Sequence, residues 1–229
     1  MTAPCPACDG SSLRPFHGVD GVPVNSCLLV SDEQEARRFP RGELRLAFCA
    51  DCGFVTNTAF DPRRSTYSEE YEETQGFSPR FQRFIAELSR DWVHRFGLSG
   101  KHVVEIGCGK GEFLVEMLRA GVGSGVGVDP GVRPERVPED VAGRARWVRG
   151  FFPEALPELD ADAVVCRHTL EHIGPVAHFM TQVREAIGDR RDTAVLFELP
   201  GTQHVLDEAW FWDVYYEHCS YFTAGSLAR

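Results

Sequence analysis

The chain has 229 residues, enough for one full domain and a smaller one. It is 43% hydrophobic and 25% charged, ordinary values for a globular protein, with no apolar run of membrane-spanning length. With 24 Lys+Arg against 34 Asp+Glu and a formal charge of −10, the balance argues against a nucleic-acid partner, which would need a basic surface. The opening residues MTAPCPACDG show neither a basic n-region nor an apolar h-region, so the expected location is the cytoplasm, with no membrane partner.

Four of the 8 cysteines form two CxxC units, Cys5/Cys8 and Cys49/Cys52. A CxxC turn sets two thiolates on one side of an ion, and two turns complete a tetrahedral zinc shell. Four sulfurs leave no open position for a substrate, so the expected zinc is structural. Residues 1–60 are dense in turn residues, with short β-type runs at Val22–Val24 and Leu44–Phe48. So small a zinc-binding domain would lean on its metal to fold. Residues 61–78 are polar and read as a linker or lid carrying Tyr67 and Tyr71.

From Ser78-Pro79 a helix is expected, with Ser as N-cap and Pro at the first position. Phe81, Phe84, Ile85, Leu88 and Trp92 recur on one face, and Gly97 ends it. Strands are expected at His102–Ile106, Gly125–Val128, Arg146–Val148, Ala161–Cys166 and Thr193–Leu199. Helices are expected at Glu112–Ala120 and Val176–Ile187. Alternating strands and helices predict an α/β fold with a doubly wound parallel sheet over residues 79–229. A last helix starts at Thr223, and folds of this type continue with further strands, so the domain is expected to be incomplete at its C-terminus.

The loop VVEIGCGKGEF places Gly107, Gly109 and Gly111 between the first strand of that sheet and a helix. Glycine lets a backbone approach a ligand closely and accepts positive φ. Asp129 ends the next strand, where an acid binds ribose hydroxyls. Glu105, two residues before the first glycine, would repel a pyrophosphate and welcome a cation. S-adenosylmethionine (SAM) carries a sulfonium and an amine and has no phosphate, so SAM is expected rather than NAD or ATP.

After the fourth strand of that sheet, CRHTLEHI brings His168, Glu171 and His172 to the carboxyl end of the sheet. The Asn/Asp-Pro-Pro-aromatic tetrad of base-amino methyltransferases is absent there. The segment VYYEHCSYF packs Tyr215, Tyr216, Glu217, His218 and Tyr221 together. A carboxylate beside a histidine in an aromatic setting is a pattern suited to a general base.

The glycine loop and its acids resemble those of the class I SAM-dependent methyltransferases, which have a Rossmann-like sheet. That resemblance implies that Glu105 and Gly107 face the methionine end and Asp129 the ribose, with Pro130 beside the adenine and Phe151 at its edge. Both CxxC units, YSEEYEETQGFSP, the loop, LEHI and YEHCSYF together resemble bacterial sugar C-methyltransferases with an N-terminal zinc-binding domain. This resemblance implies C-methylation of a nucleotide-linked ketodeoxysugar through an enolate, with His218 as base. Glu217, Tyr215 and His172 would line the pocket, a linker tyrosine, Tyr71 or Tyr67, would enter it, and Glu217 would orient or charge-stabilise the imidazole. It also implies a further C-terminal domain beyond Arg229. Two other readings stay open: an O- or N-methyltransferase acting on another small molecule or RNA, and a non-catalytic zinc- and SAM-binding module.

Overall fold

A computed structural model describes residues 4–65, 71–72 and 74–229. In chain order the elements begin with β1 (Leu13–Pro23), α1 (Glu33–Arg38), β2 (Arg41–Cys49) and β3 (Val55–Asn57). Next come α2 (Pro79–Arg95), β4 (His102–Ile106), α3 (Glu112–Arg119), β5 (Ser124–Val128), α4 (Glu139–Ala142) and β6 (Ala145–Val148). The last are β7 (Ala163–Arg167), α5 (Val176–Ile187), β8 (Ala194–Glu198), α6 (Thr202–Glu208), β9 (Ser220–Tyr221) and α7 (Ala224–Leu227). The chain forms two compact units: Met1–Thr66 with His168–Thr181 and Leu199–Arg229, and Tyr67–Arg167 with Gln182–Glu198.

The second unit holds the expected parallel sheet, in the order β6-β5-β4-β7-β8. Its central strands are near-continuous apolar runs because a parallel sheet is covered on both faces. Val104 lies opposite Val126 on β5 and Val164 on β7. Strand order reverses between β4 and β7, and in open sheets of this kind the crevice outside the carboxyl ends at that reversal takes the ligand. The helix α2 begins as its sequence dictates. The Ser78 hydroxyl accepts from the Phe81 amide, Pro79 occupies the first turn, and Gly97 leaves the helix at φ +63°. Its buried Ile85 and Val93 join Phe113, Leu114, Met117 and Leu118 of α3 in one core cluster, where Trp92 meets Phe113 edge-on at 5.5 Å.

The first unit is built on an antiparallel sheet, β1-β2-β3-β9. The Leu44–Phe48 run lies within β2, and β1 is much longer than the Val22–Val24 run suggests. The fourth strand comes from the far end of the sequence: Val55 pairs with Tyr221 and Thr56 with Ser220. The Thr56 hydroxyl and the Asn57 amide both donate to the Cys219 carbonyl, at 2.9 and 3.0 Å. Phe54 packs on Phe222 with centroids 5.0 Å apart. The expected division into 1–60, 61–78 and 79–229 therefore differs from the observed units. Residues 199–229 group with the N-terminal segment because β9 needs a ladder partner and finds it in β3.

One packing constraint is absent from the sequence pattern. The Trp147 indole, on β6, fills the places that Cβ atoms would take at Gly111 and Gly127, 2.5 and 2.6 Å from its ring carbons. At Gly127 the Cys108 sulfur closes the other side, at 2.8 Å. Gly127→Ala is expected to lower the free energy of unfolding by about 1–3 kcal/mol through overpacking. Adding Trp147→Leu to that variant should recover part of the loss, as read by denaturant unfolding of both proteins.

Candidate active site

The glycine loop leaves β4 at Gly107 with φ +71°, followed by Gly109 at +53° and Gly111 at +86°. All three need the left-handed region that only glycine enters cheaply. Gly111 makes room for Trp147, so the cradle surface rests on Gly107 and Gly109. The two expected acids brace this loop. Glu105 is buried, and its Oε2 accepts from the Leu114 amide in the first turn of α3 at 3.1 Å. Asp129 accepts from the Gly109 amide at 3.0 Å and the Gly131 amide at 2.6 Å. Burial pushes the Glu105 carboxyl up to about 8, against the pull of Arg167 and the Leu114 amide. Arg167 ends β7, pairs with Glu198 at the end of β8 and lies 4.0 Å over the Phe113 ring. Two buried acids beside a glycine loop suit a cationic amino-acid nucleoside, which can ionise Glu105, and offer a pyrophosphate no positive charge. Gly107, Gly109, Glu105 and Asp129 thus fit SAM. Pro130 follows Asp129 directly and is half-buried, while Phe151 is exposed.

The four cysteines converge within the first unit. Cys5 and Cys52 sulfurs lie 3.8 Å apart and those of Cys8 and Cys49 3.7 Å apart, and all four sit within 4.8 Å of one another. A tetrahedron with zinc–sulfur bonds of about 2.3 Å has sulfur–sulfur edges of about 3.8 Å, whereas a disulfide is about 2.05 Å. The spacing therefore fits a four-thiolate zinc. Both knuckles are tight turns: Asp9 donates its amide to the Cys5 carbonyl at φ +58°, and Gly53 to the Cys49 carbonyl at φ +79°.

The third cluster lies in the same unit. His218 is buried, and its Nδ1 is 2.9 Å from the Asp213 carbonyl. A carbonyl only accepts, so Nδ1 carries the proton and Nε2 is a lone pair. The Tyr215 hydroxyl donates to that lone pair at 2.5 Å. The His172 ring stands edge-on to His218 at 4.8 Å. Burial first, then His172, pulls His218 down to about 4, with Glu171 and the Asp213 hydrogen bond acting the other way. Burial and nearby carboxylates raise the Tyr215 hydroxyl far above its ordinary value, so it stays a donor.

Glu217 does not orient this imidazole. Its carboxylate accepts from Asn25 Nδ2 at 3.0 Å, the Ser26 amide and hydroxyl at 2.8 Å each, and the Ser65 hydroxyl at 3.3 Å. These donors turn it away because a buried carboxylate goes where hydrogen bonds satisfy it. The group that holds His218 is the Asp213 carbonyl, which no side-chain pattern reveals. Tyr216 is core: its ring lies against Gly42, and its hydroxyl accepts from the Asp61 amide. Tyr71 is buried and belongs to the other unit, and Tyr67 lies outside the described residues.

A family model described as a methyltransferase domain matches residues 81–229. The chain belongs to the methyltransferase-domain family. Among curated relatives, a ribosomal protein L11 methyltransferase of Pseudomonas fluorescens is 34% identical over 82 residues, which is 34% of this chain and 28% of that protein. A tRNA U34 carboxymethyltransferase of Ectopseudomonas mendocina is 52% identical over 134 residues, 53% of this chain and 35% of that protein. The chain thus spans about a third of the length of these relatives. Among solved structures, an O-methyltransferase of Nostoc punctiforme superposes with TM-score 0.48 and 21% identity over 62% of this chain and 46% of that one. The neocarzinostatin-biosynthesis O-methyltransferase bound to SAM gives 0.42 and 21% over 66% and 51%. The parallel five-stranded sheet with its flanking helices is the Rossmann-like fold expected of a class I methyltransferase domain. Among the described residues no helix is long and apolar enough to cross a membrane.

The raised Glu105 carboxyl has a consequence for stability. A group whose folded value lies above its unfolded value, from about 4.5 to about 8 here, contributes stability that is complete below the lower value and lost as pH climbs through the upper. Glu105→Gln should therefore raise ligand-free stability at pH 8 and flatten the decline between pH 5 and 8. Urea unfolding of both proteins at several pH values checks this.

Proposed function

We propose that this methyltransferase domain uses SAM to methylate a carbon of a small ketone-bearing acceptor, a nucleotide-linked ketodeoxysugar, with His218 as the base. The observation that carries the reading is the His218 imidazole: buried, held at Nδ1 by the Asp213 carbonyl and met at Nε2 by the Tyr215 hydroxyl. When bound, SAM supplies a methyl group already activated by its sulfonium. Gly107 and Gly109 would carry its methionine end, with Glu105 beside the amine, whose positive charge would draw the raised carboxyl into its ionised form. Asp129 would take the ribose, with Pro130 and Phe151 at the adenine.

The chain's own work is to make a carbon nucleophile. His218 Nε2 accepts the proton α to the ketone. Tyr215 gives up its bond to Nε2 and donates to the oxygen on which negative charge grows, the oxyanion stabilisation such a step needs. His172 closes one side of the imidazole. The formal charge of −10 favours a small-molecule acceptor over RNA.

Zinc in the four-thiolate cluster would be structural. We expect about one zinc per chain by elemental analysis, and a lower melting temperature after chelation or in Cys49→Ser. A metal-free protein of unchanged stability would remove zinc from the account.

For the base, His218→Ala should bind S-adenosylhomocysteine as the parent does in calorimetry while methylating about 10²–10⁴-fold more slowly. In heavy water and without SAM, the parent should exchange the ketosugar's α-hydrogen and His218→Ala should not. Methyl found on oxygen, or near-normal turnover in the variant, would reject carbon methylation by this base.

A further inference from the structure

With Glu217 committed to Asn25, Ser26 and Ser65, a different carboxylate must answer the charge that forms on His218. Glu171, in the single 3-10 turn Leu170–His172, is 1% exposed. Neither of its carboxylate oxygens has a hydrogen-bond partner among the described residues. Its Oε1 lies 3.4 Å from His168 Nδ1. One ligand-type atom each of Glu171, His172 and His218 fall within 4.8 Å of one another, a gap that a single water spans. The His168 side chain is half exposed, at 50%, and its backbone stands at φ +46°, a conformation non-glycine residues seldom hold without a reason. A buried carboxylate with no hydrogen bonds is costly unless positive charge appears beside it. Its carboxyl nonetheless lies below the ordinary range, because the pull of His168, His172 and His218 outweighs burial. Asp213 and the protonated Tyr215 hydroxyl also face the cluster, and the Cys219 thiol donates to the Glu171 carbonyl.

We propose that Glu171 stabilises the imidazolium formed when His218 takes a proton, and that His168, whose Nδ1 approaches Glu171 Oε1, passes that proton to solvent. The proposal rests on His218 being the base. In the step, the acceptor's C–H bond breaks, its electron pair stays on the carbon and spreads to the ketone oxygen, and the proton bonds to Nε2. The other proton stays on Nδ1, donated to the Asp213 carbonyl. The new proton then moves to the Glu171 carboxylate and on to Nδ1 of His168 in the tautomer that carries its own proton on Nε2; that Nε2 proton leaves to water, and the half-exposed ring returns to its starting tautomer by proton exchange with solvent. Glu171 acts through His218 and not on the acceptor itself.

The test follows α-hydrogen exchange of a nucleotide-linked ketodeoxysugar in heavy water, without SAM, in the parent chain, Glu171→Gln, Glu171→Asp, His168→Gln and His218→Ala. Glu171→Gln should slow exchange about 10²-fold with little change in KM, and Glu171→Asp should recover most of it. His168→Gln should be slow in dilute buffer and rescued by added imidazole, a response that a purely structural histidine would not give. Should Glu171→Gln not fold, as judged by circular dichroism, Glu171→Asp and His168→Gln carry the test. His218-dependent exchange at the parent rate in Glu171→Gln, or no imidazole rescue in His168→Gln, overturns the proposal and leaves the base standing. Exchange at the parent rate in His218→Ala defeats the base and the proposal with it. A second metal per chain, lost in Glu171→Gln, would make the carboxylate a ligand and also overturn it.

Discussion

The pairing of β9 with β3 is the contact on which the rest of the first unit depends. Only two residue pairs make the ladder, Val55 with Tyr221 and Thr56 with Ser220, backed by two hydrogen bonds to the Cys219 carbonyl. Cys49 ends β2, Cys52 begins the turn into β3, and the Cys49 amide closes that turn on the Phe54 carbonyl at 2.8 Å. The cysteine cluster thus sets where β3 starts. β3 in turn sets β9, and β9 holds the chain immediately after His218. The cysteine cluster and the segment around His218 are thus joined through backbone hydrogen bonds of one sheet.

The buried carboxylates divide by what they hold. Glu105 secures the first turn of α3, Asp129 secures the glycine loop, and Glu217 secures Asn25, Ser26 and Ser65. Each finds amides or hydroxyls, which is how a buried anion is made tolerable. Glu171 finds histidines instead. Histidine is the side chain whose charge changes most readily near neutrality, so an anion placed among histidines is suited to a charge that comes and goes. The two acids at the glycine loop give that loop its shape before any ligand arrives, which lowers the ordering needed on binding.

Sequence alone determined the parallel sheet, the α2 start at Ser78-Pro79, the glycine loop and the two knuckles. These are local: apolar runs of strand length, a cap and its proline, glycines where φ is positive, and sulfurs three residues apart. It also drew attention to His218 and Tyr215, three residues apart in one turn, which the fold brings to 2.5 Å. Tertiary structure decided which neighbour serves the base. Adjacency in sequence suggested Glu217, but successive side chains point in different directions, and Glu217 meets donors that are about 190 and 150 residues away along the chain. The partner of Nδ1 is a backbone carbonyl, a group every residue carries and no sequence marks. Gly111 and Gly127 read as a ligand-facing glycine and a strand residue until Trp147 occupies the space that both leave. The place of Ser220–Tyr221 in the N-terminal sheet was equally hidden, because a two-residue strand has no periodicity to read, and only its long-range ladder gives it a place.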